Sequence, residues 1–132
     1  MKHPIIRCGV IFAALSGTIS PVIAKPQRQP VEIRFDARVG SEPARCGQAY
    51  SNIGIAKAGM QFQDMRIYVS AVKLVDAQGR EVPVTLTPDG QWQSDQVALL
   101  DFEDRTGNCN GNTGTNMVVR GTVPKGDYNG LV

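Results

Sequence analysis

Apolar and charged residues alternate strictly in the stretch VEIRFDARV, residues 31–39. Val31, Ile33 and Phe35 share one set of positions, and charged residues fill the positions between them. Because successive side chains of a β-strand point to opposite faces, this pattern predicts a half-buried strand with one wet face. The following stretch, GSEPARCGQ, is rich in strand-breaking residues and ends the pattern.

A second apolar-rich run, FQDMRIYVSAVKLV, follows at residues 62–75. Its apolar residues occupy alternate positions from Met65 to Ala71 and then shift to Val72 and Leu74. A shift of this kind predicts a bulge or bend near Ser70. The face predicted to be apolar before the bend consists of Met65, Ile67, Val69 and Ala71.

Turn residues then divide the rest of the chain into short strands. The turn DAQG separates the second run from the alternating stretch EVPVTLT, which predicts a hairpin, and Pro83 suits an edge strand because it has no N–H to donate. Further strands are predicted in VALLDFE, MVVRGTV and YNGLV, with turns about every 8–12 residues. The sequence therefore predicts an all-β protein, an antiparallel β-sandwich with long loops. Since the final strand stops at Val132, we expect its C-terminal strands to be missing from this chain.

The first 24 residues have the pattern of a secretory signal peptide. Lys2 and Arg7 precede an uncharged apolar run, and PVIA ends at Ala24. The run is shorter than the roughly 20 residues of a membrane-spanning helix. A buried N-terminal helix is the alternative. We expect cleavage after Ala24, followed by a linker at 25–30 and a β-sandwich domain at 31–132. The protein is then expected to be periplasmic or secreted, without a membrane anchor. N-terminal sequencing of the exported protein checks the cleavage site.

Charge and histidine content narrow the function classes. Without Lys2 and Arg7, 12 of the 14 basic residues remain, which equals the 12 acidic residues. No basic patch with interleaved aromatic residues is present, so nucleic acid is not an expected partner. The single histidine, His3, leaves with the signal peptide, which excludes Ser-His-Asp and Cys-His catalysis from the remaining 108 positions, 25–132. We do not expect an enzyme.

Two cysteines remain after removal of the signal peptide, Cys46 and Cys109. In an exported protein a disulfide is the expected state, most simply between these two. The alternatives are a pair of thiolate ligands, a redox pair, or pairing of either residue with a cysteine beyond Val132.

Acidic residues follow the predicted strand VALLDFE. Asp101, Glu103 and Asp104 lie within four positions, before a Gly/Asn-rich loop that contains Cys109. A Ca²⁺ site and a pair of glycosidase carboxylates are two alternatives. We favour a strand end that runs into a solvated loop.

In that interpretation the strand is anchored by apolar side chains, and its acids are held by backbone donors or by an arginine. The anchors are Leu99, Leu100 and Phe102; the candidate arginines are Arg34, Arg38 and Arg66. Asp101, Glu103 and Met65 are kept as candidate metal ligands, although methionine is also a common core residue. Trp92, the one tryptophan, is expected to be partly buried at a sheet margin.

Several spaced segments resemble the MbnP-like copper-binding proteins, also described as the four-Cys-motif member of a paired metalloprotein system. The segments are RFDARVG, ARCGQAYSNIG, FQDMRIYVSAVKLVDAQGREVPVTL, QWQSDQVALLDFED, GNC and VVRGTVPKGDYNGL. The resemblance implies an exported, mostly β, copper-binding protein. It also implies a partner, an MbnH-like protein related to di-haem cytochrome c peroxidases, which oxidises a tryptophan to a kynurenine-type residue. Trp92 is the candidate for that tryptophan.

This sequence departs from the family pattern in three ways. It is shorter, it has two cysteines rather than four after the signal peptide, and it has no histidine there. We therefore expect the copper ligands to lie beyond Val132. The alternative function is a secreted β-sandwich binding module for sugar or protein, without metal.

Overall fold

The computed structural model describes residues 25–132, and the predicted signal peptide, residues 1–24, lies outside them. Twelve strands and no helix occur in this part of the chain, which confirms the all-β prediction. The strands are β1 (Arg28–Arg34), β2 (Arg38–Val39), β3 (Glu42–Pro43), β4 (Ala49–Ile53), β5 (Ala58–Gln61), β6 (Arg66–Ser70), β7 (Lys73–Asp76), β8 (Glu81–Pro83), β9 (Thr85–Leu86), β10 (Val97–Asp101), β11 (Val118–Pro124) and β12 (Tyr128–Leu131).

The first three-stranded sheet has the order β1-β11-β9, and all its pairs are antiparallel. β1 and β11 pair along their full lengths, from Arg28 opposite Pro124 to Arg34 opposite Val118. The predicted alternation is confirmed in β1, where Val31 and Ile33 are half-buried and the charged positions are exposed. This sheet therefore presents one apolar face to the core and one charged face to water.

The second three-stranded sheet has the order β12-β7-β8. The predicted hairpin is confirmed by pairing of Leu74 with Val82 and Val75 with Glu81. Asp76 closes its turn: the carboxylate accepts hydrogen bonds from the backbone N–H groups of Gln78 and Arg80 and from the Arg80 guanidinium. The bond from the Arg80 backbone, more than the others, holds the pKa of Asp76 below its ordinary value.

β10 pairs with β6 in a two-stranded sheet, and two small hairpins, β2–β3 and β4–β5, complete the fold. The inner faces of these sheets enclose one main apolar core. Burial of such side chains from water is the dominant stabilising contribution to folding. The buried members of this main core are Val72, Leu74, Val84, Leu86, Ala98, Leu100, Val119 and Val123.

The stretch EVPVTLT, predicted to form one strand, is divided between two sheets. β8 ends at Pro83, which has no N–H to continue the ladder with β7. Val84 then donates its N–H to the carbonyl of Val72 over 2.9 Å, and the next two residues pair with β11 as β9. Pro83 thus lies on an edge strand, as predicted, and directs the chain from one layer of the sandwich to the other.

The bend predicted near Ser70 is present, but the face predicted before it is only partly apolar. β6 ends at Ser70, and Ala71 adopts a left-handed backbone conformation with φ 51°. Met65 is buried and Val69 is half-buried, whereas Ile67 is 55% exposed. The prediction for Ile67 was wrong because β6 pairs on one side only, which leaves its side chain at an uncovered edge.

The N-terminal boundary of the domain lies earlier than the sequence pattern indicated. β1 begins at Arg28, so the last three residues of the predicted linker, 28–30, belong to the sheet. Arg28 also donates hydrogen bonds from its guanidinium to the side chains of Thr85 and Thr122. Across residues 25–132, no helix is long and apolar enough to cross a membrane.

Candidate functional site

The acidic segment at the end of β10 is buried rather than solvated. Asp101 is 1% exposed and Glu103 is 0% exposed, whereas Asp104 and the next four residues, 105–108, are exposed. The prediction of a solvated strand end is therefore wrong for Asp101 and Glu103. Burying a carboxylate is costly unless it is paired or hydrogen-bonded, so the partners of these two residues decide their role.

Glu103 is held by one arginine and one backbone donor. Its Oε1 lies 3.0 Å from the Nε of Arg66, and its Oε2 accepts the N–H of Met65 over 3.3 Å. Arg66 also donates from Nε to Oδ1 of Asp64 over 3.1 Å. The hydrogen bond to Asp64 and the charge of Asp64, followed by the charge of Glu103, raise the pKa of Arg66 above its ordinary value. Arg66 is one of the three arginines that the sequence offered as partners.

The loop that follows lies directly against the Glu103 carboxylate. A Cβ atom at Gly111 would collide with Oε1 of Glu103, so the glycine permits this close approach. By hydrogen-bond geometry, Oε1 has no donor among the described residues, and the Arg66 guanidinium compensates its charge through proximity alone. The loop therefore packs against the Glu103 carboxylate at Gly111.

Asp101 joins the same strand end to the segment before β11. Its backbone exchanges two hydrogen bonds of 2.8 Å with Asn116, and its Oδ1 accepts the N–H of Glu103 over 3.1 Å. The Asn116 amide in turn donates to the carbonyl of Leu99 over 2.8 Å. These bonds assign Asp101 a positioning role in the sheet, with Leu100 in the core and Leu99 and Phe102 half-buried beside it, as the anchoring interpretation requires.

The three candidate metal ligands do not form a ligand set in this state of the protein. Glu103 and Asp101 each use one carboxylate oxygen to accept a backbone N–H, and Oε1 of Glu103 faces the Arg66 guanidinium. The sulfur of Met65 points elsewhere, to Sγ of Cys46. Within residues 25–132 no group of three or more His, Cys, Asp or Glu side chains could hold a metal ion, and His3 lies outside them. The described residues therefore do not fit a copper centre in the disulfide-bonded protein.

Cys46 and Cys109 form a disulfide, which confirms the expected pairing. Both residues are buried in a second, smaller apolar cluster together with Met65, and Phe62 and Phe102 pack against it. Cys46 lies in the loop before β4 and Cys109 in the loop after β10, so the bridge joins two loops whose cysteines are separated by 63 residues.

Two glycines next to the disulfide allow these loops to touch. Gly47 and Gly107 both have positive φ, 77° and 55°, and a Cβ at Gly107 would overlap the Cα and N atoms of Gly47. The hydroxyl of Thr106 lies 3.4 Å from the carbonyl oxygen of Cys46, while it donates its hydrogen to Oδ1 of Asp104 over 2.6 Å. The loops are thus held together by backbone contact as well as by the covalent bridge.

We expect Gly107→Ala to lower the free energy of unfolding by about 2–3 kcal/mol, because it combines left-handed backbone strain with overpacking. Gly79→Ala is the matched control: its φ is also positive, 76°, but nothing lies within 4 Å of the added methyl group. Urea denaturation of both variants measures the difference. Equal losses would mean that the contact between Gly47 and Gly107 is not close in solution.

Trp92 is half-buried beside a surface groove, as predicted for a sheet margin. Its backbone N–H donates to Oδ1 of Asp89 at 2.7 Å, and its backbone carbonyl accepts the N–H of Leu99 at 2.7 Å. Its ring lies next to Gly114. The groove has a volume of about 490 Å³, and Tyr68, which is 71% exposed, lines it as well. Trp92 is therefore fixed through its backbone, with its ring at a margin that other molecules can reach.

The fold and the bridged loops define a class: an antiparallel all-β sandwich whose acidic strand end and disulfide are structural. Residues 28–132 match the family model of MbnP, so the chain belongs to the MbnP family. It is similar to the solved structure of MbnP from Methylosinus trichosporium, with 38% sequence identity and a TM-score of 0.64. The match covers 80% of this chain and 37% of that chain. Among proteins of curated function, none matches the chain.

Proposed function

We propose that this chain is the β-sandwich part of a copper-binding protein of the periplasm that takes part in copper handling and is not an enzyme. Membership of the MbnP family, over residues 28–132, is the observation that carries the proposal. The buried disulfide adds support, because disulfides persist in oxidising compartments outside the cytoplasm. In this proposal the copper ligands lie in a part of the protein other than residues 25–132.

The described residues would then serve as a scaffold for the metal site. The Arg66–Glu103 pair and the bonds of Asp101 fix the end of β10 and the loop after it, and ligands held by a rigid shell bind metal more tightly. The copper ion would be the cargo of the protein. A di-haem peroxidase-like partner would oxidise a tryptophan, for which Trp92 is the candidate because its ring lies at an accessible groove.

We expect Asp101→Asn and Glu103→Gln to lower the melting temperature while copper stoichiometry stays unchanged. Both side chains are committed to structural bonds, and hard carboxylates are poor ligands for Cu(I). Copper per chain and the melting temperature are measured on the longest form of the protein that the gene encodes. Loss of copper at an unchanged melting temperature would assign these carboxylates to the metal instead.

The partner is tested by co-expression with a di-haem peroxidase-like protein from the same genome. Peptide mass spectrometry of the segment around Trp92 detects conversion of tryptophan to a kynurenine-type residue, and Trp92→Phe is the matched control. Unmodified Trp92 together with modification of another tryptophan would remove Trp92 as the candidate.

The alternative is a secreted binding module for sugar or protein, without metal. The groove beside Trp92 favours it, since the exposed side chains of Tyr68 and Gln91 line the same surface. Aromatic faces next to amide groups suit ligands that have both apolar and hydrogen-bonding surfaces. A copper titration in the presence of a weak chelator separates the two functions. If the chelator keeps the copper, the result favours the metal-free module.

A further inference from the structure

Two asparagines of the chain are followed directly by glycine, and the fold places them in different surroundings. Asn110–Gly111 lies in the loop between β10 and β11, whereas Asn129–Gly130 lies in β12. The backbone nitrogen of the residue after an asparagine can attack the amide carbon of that side chain, and a glycine there has no side chain to obstruct the attack. Because the two pairs have the same chemistry, the backbone around each pair decides whether it reacts.

The first pair has a free backbone at its reacting atoms. Asn110 is exposed and belongs to no strand, while the residue before it, Cys109, is fixed by the disulfide. Among residues 25–132 no hydrogen bond engages the Asn110 amide or the N–H of Gly111. Rotation of the Asn110 backbone, which brings its Cγ to the Gly111 nitrogen, therefore breaks no hydrogen bond.

The second pair is held in a ladder. Gly130 lies opposite Val75 and Leu131 lies opposite Leu74, so β7 fixes the backbone on the C-terminal side of Asn129. The contact is close, because a Cβ atom at Gly130 would lie 2.9 Å from Cβ of Val75. The same backbone rotation at Asn129 requires β12 to open first, and local opening of a paired strand costs free energy.

We propose that Asn110–Gly111 is a site of spontaneous covalent modification, at which water converts the asparagine to aspartate or isoaspartate. The Gly111 nitrogen attacks Cγ of Asn110 and gives up its proton, and the side-chain amide leaves as ammonia, which produces a cyclic succinimide. Water then opens the succinimide at one of its two carbonyl carbons. The reaction needs no oxidant and no enzyme, and it does not depend on the proposed function.

The modification falls where the loop has little room to adjust. Isoaspartate adds one carbon to the main chain between Asn110 and Gly111, and both products add a negative charge. Gly111 lies so close to the Glu103 carboxylate that a Cβ atom there would overlap Oε1, and Cys109 cannot shift because of its bridge. The longer main chain therefore displaces Gly111 from Glu103, and water reaches a carboxylate that is buried in the unmodified protein.

The test follows both pairs during incubation of the oxidised, exported protein at mildly alkaline pH, in native buffer and in urea. Samples are then reduced, alkylated and digested with trypsin, and mass spectrometry locates the exchange of amide for acid in the peptide 106–120 and in the peptide that begins at Gly126. We expect Asn110 in the native protein to react at least about tenfold faster than Asn129, because β12 must open first. In urea the two asparagines are expected to react at similar rates.

Asn110→Gln is the matched variant, because it keeps an amide at this position while its extra methylene group slows ring closure. Incubated wild type is expected to melt at least about 4 °C below fresh wild type, whereas incubated Asn110→Gln melts as the fresh variant does. Equal native rates at Asn110 and Asn129, or an Asn110 that reacts in urea and not in native buffer, would overturn the proposal. An unchanged melting temperature after complete modification would overturn the displacement of Gly111.

Discussion

Replacing both Cys46 and Cys109 with alanine lowers the free energy of unfolding by about 4 kcal/mol. The bridge closes a loop between residues separated by 63 positions, and such a cross-link removes that much loop-closure entropy from the unfolded chain in the chain-entropy model. Domains of this size have a total stability of about 5–15 kcal/mol, so the loss is a large share of it. Denaturation in urea, followed by circular dichroism, measures the difference.

Reduced wild-type protein serves as the control, because it lacks the bridge but keeps both sulfur atoms in the core. It should match the double variant to within about 1 kcal/mol if the cross-link, and not the packing of sulfur, supplies the stability. A double variant as stable as the oxidised wild type would contradict the prediction. Two alkylatable thiols in the unfolded, unreduced protein would contradict the disulfide itself.

Arg66→Met is expected to lower the melting temperature by about 4–8 °C, because it leaves the buried Glu103 carboxylate without its cation. The Arg66 side chain is itself 45% exposed, so the pair is weaker than one buried on both sides. Methionine keeps most of the apolar stem of the arginine, so the change tests charge more than packing. The double variant Arg66→Met/Glu103→Gln should regain part of the loss, since it removes the unpaired charge as well. Thermal and urea unfolding of the wild type, the two single variants and the double variant give the coupling free energy.

Arg34→Met is the matched control for the Arg66 variant. Arg34 pairs with Glu32 over 2.7 Å, but both side chains are exposed, and exposed pairs contribute only about 0–1 kcal/mol. If the two variants lose the same small stability, then water reaches Glu103 in solution and the strand end is not sealed.

The sequence was sufficient for the features that depend on local pattern. The alternation from Val31 onward, the turn before Arg80 and the N–H missing at Pro83 are properties of neighbouring residues, and they indicated β1, the hairpin β7–β8 and its edge strand. The strand predicted over 31–39 is nevertheless divided, because β1 ends at Arg34 and residues 38–39 pair with β3 as β2. The disulfide was also predictable, because the signal-peptide pattern favours paired thiols and residues 25–132 contain two cysteines, which leave one internal choice. Family membership followed from several motifs in order along nearly the whole domain.

The sequence was insufficient where a contact from a distant segment decides the outcome. Asp101 and Glu103 have the composition of a solvated strand end, and their burial depends on Arg66 and Gly111, which come from β6 and from the following loop. Ile67 follows the apolar alternation, but its side chain is exposed because β6 pairs only with β10 among the described strands. The local pattern also predicted a single strand for EVPVTLT. The division of this stretch into β8 and β9 could not be predicted locally, because it depends on the pairing of β9 with β11.

Pairing of β1 with β11 has a kinetic consequence. The strand that comes first among the described residues completes its ladder only with residues 118–124, about 90 positions later in the chain. Sheets built from such distant pairs fold slowly, in milliseconds to seconds, because the loop must close before the contacts form. Until that moment the apolar side of β1 is uncovered, and the local hairpin β7–β8 can form without it. A chaperone that delays folding would therefore recognise β1 for longer than it recognises β7 and β8.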